Sequence, residues 1–236
     1  MSQSHIFQEF DVTMRNLKDT VLLMASAVRQ NLEHAIQALI ANDIDIARMV
    51  IGDDSEVDEL EIRIDQLGMD ILIRFHPVAS DLRLVITSMK MAYNLERISD
   101  HAVNIAKRAK KICKSGEQAE AAVIEPLYAM AEKLLMDALV AYADNNTELG
   151  ESLKQADRKL DAAHKQVIAM LSGRIEKSGS RTENLLHLIF VARSLERIGD
   201  LAVNIGEDAV FLGDARNIRH EYRKTADSDD KLPKPL

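Results

Sequence analysis

Leu95 to Ala106 reads LERISDHAVNIA, and Leu195 to Gly206 reads LERIGDLAVNIG. Leu, Glu, Arg, Ile, Asp, Ala, Val, Asn and Ile recur at the same offsets, and the long segments before the two copies share a layout, so the chain is an internal duplication. The first copy lies in a helical pattern with two apolar seams. One runs Leu82, Val85, Met89, Ala92, Glu96, Ser99, Val103, Ala106, and the other Leu84, Ser88, Met91, Leu95, Ile98, Ala102, Ile105, Ala109, Ile112. Both advance in alternating steps of three and four, the helical period. Two seams on one helix call for two packing partners, as in a three-helix unit. The first seam carries Glu96 where the period asks for a hydrophobe, and the second copy repeats the anomaly at Glu196, between Ala192 and Gly199.

Asp100 and Asp200 lie one turn beyond these glutamates, and Asn104 and Asn204 one turn further, so each helix carries a stripe of oxygen acceptors beside its seam. Like charges four residues apart destabilise a helix by roughly 0.2 to 0.5 kcal/mol even in water. Taking an uncompensated carboxylate out of water costs several kcal/mol more. A cation is therefore required: an Arg or Lys of a neighbouring helix, or a metal ion.

The preceding helical segment supplies more acids. Beside its core seam Val57, Leu60, Ile64, Leu67, Ile71 runs the stripe Asp54, Asp58, Glu61, Asp65. In the second half Asp157, Asp161, His164 and Ile168 stand at a constant offset from these, beside the seam Leu160, Ala163, Val167, Met170. Asp54 thus matches Asp157, Asp58 matches Asp161, and Glu61 becomes His164, itself a metal ligand type. Antiparallel packing of the second and third helices can bring Asp54 and Asp58 towards Glu96 and Asp100, and Asp157, Asp161 and His164 towards Glu196 and Asp200. Such oxygen-rich sets suit Mg²⁺, Mn²⁺ or iron and lack the thiolates and imidazoles of structural zinc. Ion pairing by Arg97, Arg193, Arg197 or Lys90 satisfies the same pattern. His101 reads as structural, since Leu201 replaces it.

Outward from these helices the chain divides evenly. A helix is expected over 6–41 with the core seam Leu17, Val21, Met24, Val28, Leu32, Ile36, Leu39, broken by Asn42 and Asp43, the latter placed to cap a second helix reaching Phe75. The turn from His76 to Asp81 leads to the third helix, which ends near Ser115-Gly116 with Lys107, Arg108, Lys110, Lys111 and Lys114 at its negative end. Helices over 117–144, 147–177 and from the Ser178-Gly179-Ser180 break to Leu212 repeat the plan. The expected fold is all-α: two tandem three-helix bundles, six long antiparallel helices, with repeats at 1–115 and 116–224 and a polar, disordered tail at 225–236.

The 236 residues are 47% hydrophobic but only 4% aromatic, with no Trp, which favours helix over strand. A net charge of −8 excludes a nucleic-acid binder that relies on a basic face. Neither a basic-then-apolar leader in MSQSHIFQEF nor a window of about 20 apolar residues is found, so a cytoplasmic protein is expected. The enzyme alternative, a ferritin-like di-metal carboxylate protein, needs Glu-x-x-His pairs, and none occurs. Gly-rich phosphate loops, zincin motifs and Ser/His/Asp sets are missing too, and the single Cys113 has no His partner nearby in sequence.

The twin LERISDHAVNI and LERIGDLAVNI, the hairpin HPVASDLR and the closing GDARNIRHE resemble the PhoU family over essentially the whole chain. The resemblance implies a non-catalytic negative regulator of phosphate uptake and phosphate-regulon expression. Its partners would be the transporter ATPase PstB and the sensor histidine kinase PhoR, met at the cytoplasmic face of the inner membrane. It further implies a homodimer and metal ions, in some members multinuclear clusters, on the Glu-x-x-x-Asp motif. Here the motif falls on Glu96, Asp100, Glu196 and Asp200, with Asp54, Asp58, Asp157, Asp161 and His164 as further ligands and Asn104, Asn204 and Glu61 as possible additions.

Overall fold

The computed structural model describes residues 3–115, 120–176 and 182–219, which form α1 (Gln3–Ile40), α2 (Ile44–Gly52), α3 (Asp54–Phe75), α4 (Ala79–Ser115), a 3₁₀ turn (Ala121–Ile124), α5 (Glu125–Ala143), α6 (Thr147–Ile175) and α7 (Thr182–Asp214). Among the described residues there is no strand, and the all-α expectation holds. The break at Ser178-Gly179-Ser180 and the tail from Thr225 lie outside the described residues, as does Gly116.

Every residue of the expected α1 seam is buried, from Leu17 to Leu39, as is the α4 seam from Ser88 to Ile112. Asn42 and Asn145 take the left-handed turn between the first two helices of each repeat, with φ of 54° and 52°. The next residue caps the following helix in both. The Asp43 carboxylate accepts from the Asp45 and Ile46 amides, and Asn146 Oδ1 from the Leu149 amide at 3.0 Å. These caps satisfy amides that have no partner within the helix.

Three expectations need correction. The second helix is two helices, α2 and α3, parted at Asp53 (φ −81°, ψ −2°). Gly52 is the weakest helix former there, and Asp53, Asp54 and Glu56 favour a fresh helix N-terminus. The fourth helix begins at Glu125, not near 117, because Pro126 has no N–H and its ring collides with the carbonyl four residues back, so it sits only in a first turn. The α6 seam leaves Val167 for Leu171, which is buried, while Met170 is 43% exposed.

Within each repeat the helices pack side by side, α1 and α3 against α4, and α5 and α6 against α7. The repeats meet along α4 and α7, which run antiparallel. Arg83 Nε donates to the Leu212 carbonyl, Lys90 lies 3.7 Å from Asp208, Arg108 reaches His187, and Asn184 donates to Ser115 Oγ. Asp208 is buried at this seam and is paired by Arg219 as well as Lys90. Arg219→Ala should lower stability by about 1 to 2 kcal/mol, since a buried carboxylate loses its nearer cation but keeps the weaker one. The midpoint of urea unfolding at pH 7 measures this.

Candidate metal centres

In the first repeat α3 and α4 bring five carboxylates to one locus at the rim of the core. Asp54, Glu61 and Glu96 are half-buried, and Asp58 and Asp100 are exposed. Partial burial raises the Glu96 pKa above the ordinary carboxylate range, and Asp100, Glu61, Asp58 and Asp54 raise it further. Asp54 is raised by burial and then by Asp58 and Asp100, against a 3.4 Å hydrogen bond from Ser99 Oγ and the more distant charge of Lys107. Burial, then Asp65 and Asp58, raise Glu61. Among the described residues no Lys or Arg forms an ion pair with Asp54, Asp58, Glu61, Glu96 or Asp100.

In the second repeat α6 and α7 place Asp157, Asp161 and His164 beside Glu196 and Asp200, all at intermediate burial. Burial, followed by Asp161, Asp200 and Glu196, pushes the Asp157 pKa up to about 7. Its Oδ1 and the Nε2 of His164 are enclosed without a hydrogen-bond partner among the described residues. Gly199 permits this approach, for a Cβ there would stand 3.1 Å from Asp157 Oδ1 and 2.2 Å from Leu160 Cδ2. Ser99 occupies the equivalent place in the first repeat and donates to Asp54 instead.

The ion-pair alternative holds in one place. Arg197 lies 3.1 Å from Asp200 Oδ2 and 3.4 Å from Glu196 Oε2, partly neutralising the second cluster. Burial still outweighs Arg197 and leaves Asp200 raised. The other expected cations go elsewhere: Lys90 pairs with Asp208, Arg97 stands over the Tyr93 ring, and Arg193 faces a cavity between α4 and α7.

Among the described residues no three His, Cys, Asp or Glu side chains converge tightly enough, as oriented, to hold an ion ready-made. The side-chain chemistry nonetheless fits a hard cation. Several oxygens share each locus, the first cluster has no ion-paired Lys or Arg among the described residues, and the second holds a carboxylate oxygen and an imidazole nitrogen with no hydrogen-bond partner among them. Asn104 and Asn204 are exposed and line the α4–α7 groove, Asn204 in a cavity shared with Asp157 and Asp200. His101, read as structural from sequence, lines the same groove. The two clusters stand on separate helix pairs, unlike the single four-helix core of the ferritin-like alternative.

The model of the PhoU domain matches this chain twice, over residues 21–109 and 124–209. The chain is 33% identical over 217 residues to the phosphate-specific transport system accessory protein PhoU homolog of Pseudomonas aeruginosa, covering 92% of this chain and 90% of that protein. It is 31% identical over 216 residues to the phosphate-specific transport system accessory protein PhoU of Escherichia coli, with the same coverage. A crystal structure of PhoU from Pseudomonas aeruginosa superposes with a TM-score of 0.84 at 32% identity, covering 88% of this chain and all of that one. The phosphate transport system regulatory protein PhoU from Streptococcus pneumoniae superposes with a TM-score of 0.81 at 26% identity, over 89% of this chain and 99% of the other.

Proposed function

The chain belongs to the PhoU family, and on that premise we propose that it is a non-catalytic regulatory adaptor of a phosphate-specific transport system, holding divalent or trivalent cations at its two acidic loci. Its relatives are named as accessory proteins of that system, which supports a place beside the transporter. Among the described residues no helix is long and apolar enough to cross a membrane, so any membrane attachment by these helices runs through a partner or a surface contact. The partners read from the family are the transporter ATPase PstB and the kinase PhoR, with a homodimer as the working unit, phosphate uptake restrained and phosphate-regulon genes held off when phosphate is plentiful.

One observation carries the metal reading: the same acids recur in both repeats at a half-buried helix–helix junction, and in the first no Lys or Arg among the described residues forms an ion pair with them, Lys107 acting on Asp54 only from a distance. Glu96, Asp100, Asp54 and Asp58 would hold an ion in the first repeat, and Glu196, Asp200, Asp157, Asp161 and His164 in the second. Mg, Mn or Fe would supply the positive charge there. The acids themselves straddle two helices, so their neutralisation fixes the angle of α3 on α4 and of α6 on α7, and with it the surface a partner meets.

Elemental analysis of protein purified without added metal, set beside a Glu96→Ala, Glu196→Ala double variant, tests this. The parent should carry near-stoichiometric metal and the double variant should lose most of it. Equal metal content in the two would assign the acids to ion pairing. Chelated protein should also bind the kinase at least about tenfold more weakly, a loss of roughly 1.4 kcal/mol. Unchanged affinity after chelation would leave the metal a structural role only.

A further inference from the structure

The antiparallel contact of α4 with α7 exchanges the two repeats, so the groove along it has two equivalent halves. One half is a cavity of about 490 Å³ whose lining includes Lys90, Tyr93, Arg97, Asn204, Asp208 and Arg219. The other is a cavity of about 430 Å³ whose lining includes Phe190, Arg193, Arg197, Asn104 and Arg108. One hundred residues apart, Lys90 matches Phe190, Tyr93 matches Arg193, Arg97 matches Arg197, Asn204 matches Asn104, and Asp208 matches Arg108. The halves have diverged in charge. In the first, the carboxylate of Asp208 is built in and is held by Lys90 and Arg219. In the second, arginine stands at that position, a further arginine replaces Tyr93, and among the described residues no carboxylate lines the cavity.

We infer that the cavity walled by Arg97, Arg108, Arg193 and Arg197 is a binding site for a small molecule carrying adjacent phosphoryl groups, whose anionic oxygens take the place that Asp208 fills internally in the duplicate half. Four guanidinium groups on one concavity of a chain with net charge −8 run against the protein's own average. They are also the side chains best matched to phosphoryl oxygens, through paired N–H donors in a planar fork. Arg108 is braced by the Phe190 ring at 4.2 Å and by His187 Nδ1 at 3.5 Å, so one wall is preorganised. Arg97 rests on Tyr93 at 5.8 Å, and Arg197 is partly neutralised by Glu196 and Asp200. That leaves about three positive charges for the ligand, more than one orthophosphate balances. Asn104, Ser194 and His101 add neutral hydrogen-bonding groups. The acids of the metal clusters do not line this cavity, although Glu196 and Asp200 reach Arg197.

Titration calorimetry of the full chain in excess chelator, which keeps the acidic clusters out of the measurement, would use pyrophosphate, ATP, orthophosphate and sulfate at matched ionic strength. Pyrophosphate should bind one site with Kd in the order of 10 to 100 μM, at least tenfold tighter than orthophosphate or sulfate. ATP binding more tightly than pyrophosphate would identify a nucleotide site, and the reverse order an inorganic oligophosphate site. Arg108→Gln with Arg193→Gln should weaken binding at least tenfold, while Arg15→Gln with Arg63→Gln, the same charge removed from exposed positions on α1 and α3, should leave it unchanged. Should the double variant fail to fold, Arg193→Gln, at an exposed position, gives the same reading. Absence of saturable binding below about 1 mM, or equal weakening by the Arg15→Gln, Arg63→Gln control, overturns the site.

Discussion

Gly150→Leu should cost about 3 kcal/mol or more of folding stability, whereas Gly173→Ala, farther along the same helix, should gain up to about 1 kcal/mol. A Cβ at Gly150 would lie 2.7 Å from the Gly206 carbonyl oxygen and 3.0 Å from Val210 Cγ2, and one at Gly206 would lie 2.3 Å from Leu153 Cδ1 and 3.2 Å from the Gly150 carbonyl oxygen. The two glycines bring the backbones of α6 and α7 into contact. A side chain at 150 fits only if a carbonyl moves, which pries apart the helices that carry Asp157 and Asp161 on one side and Glu196 and Asp200 on the other. At Gly173 nothing lies within 4 Å, so alanine only narrows the unfolded ensemble. At roughly 2 to 4 °C of Tm per kcal/mol for a chain of this size, thermal melting separates the two in sign and size. A Gly150→Leu protein that melts with the parent would show that the α6–α7 crossing is looser than its contacts imply.

The seams and the duplication were legible because they are local. Helical periodicity is written in neighbouring residues, and the buried faces of α1 and α4 follow it almost residue for residue. The pairing of acids across the second and third helices was legible for the same reason, once the two halves were aligned. What the repeat pattern concealed was everything decided between the repeats. From sequence Arg97, Arg193 and Arg197 read as ion-pair partners of the acids and Arg108 as a helix-end cation, and only the antiparallel α4–α7 contact gathers the four on one cavity. Asp208, a helix-face acid in sequence, is the buried partner of Arg219 and Lys90. Gly199 and Gly206 stand on the repeated seam and Gly150 faces Gly206 from α6, but the closeness of the helices lies in what a Cβ would strike. The break at Asp53 and the late start of α5 were each signalled by one residue, Gly52 and Pro126, which the surrounding helical pattern outvoted.

In metal-free protein at pH 8, Asp157→Asn should raise stability by about 2 kcal/mol, and at pH 4 it should change little. The folded-state pKa of Asp157 is pushed up to about 7, above the ordinary aspartate value of 3.8. The folded chain therefore binds the proton more tightly than the unfolded chain. That stabilisation is fully present below about pH 4, and is lost as the pH climbs through 7. A shift of this size corresponds to roughly 4 kcal/mol. Because the carboxyl is only partly withdrawn from water, screening reduces this to about half. Asparagine never ionises, so the variant lacks the decline. Asp54, Glu61, Glu96 and Asp200 are shifted in the same direction, so the parent should lose stability steadily towards neutral pH while chelated. Adding Mn²⁺ or Mg²⁺ at a hundred times its Kd should return about 2.7 kcal/mol to the parent and much less to Asp157→Asn, because the ion binds only the folded, fully ionised site. Urea unfolding at pH 4, 6 and 8, with and without metal, distinguishes the possibilities. If Asp157→Asn were instead less stable than the parent at pH 8 in chelator, the carboxylate would be serving an internal cation, and the second acidic locus would not be a metal centre.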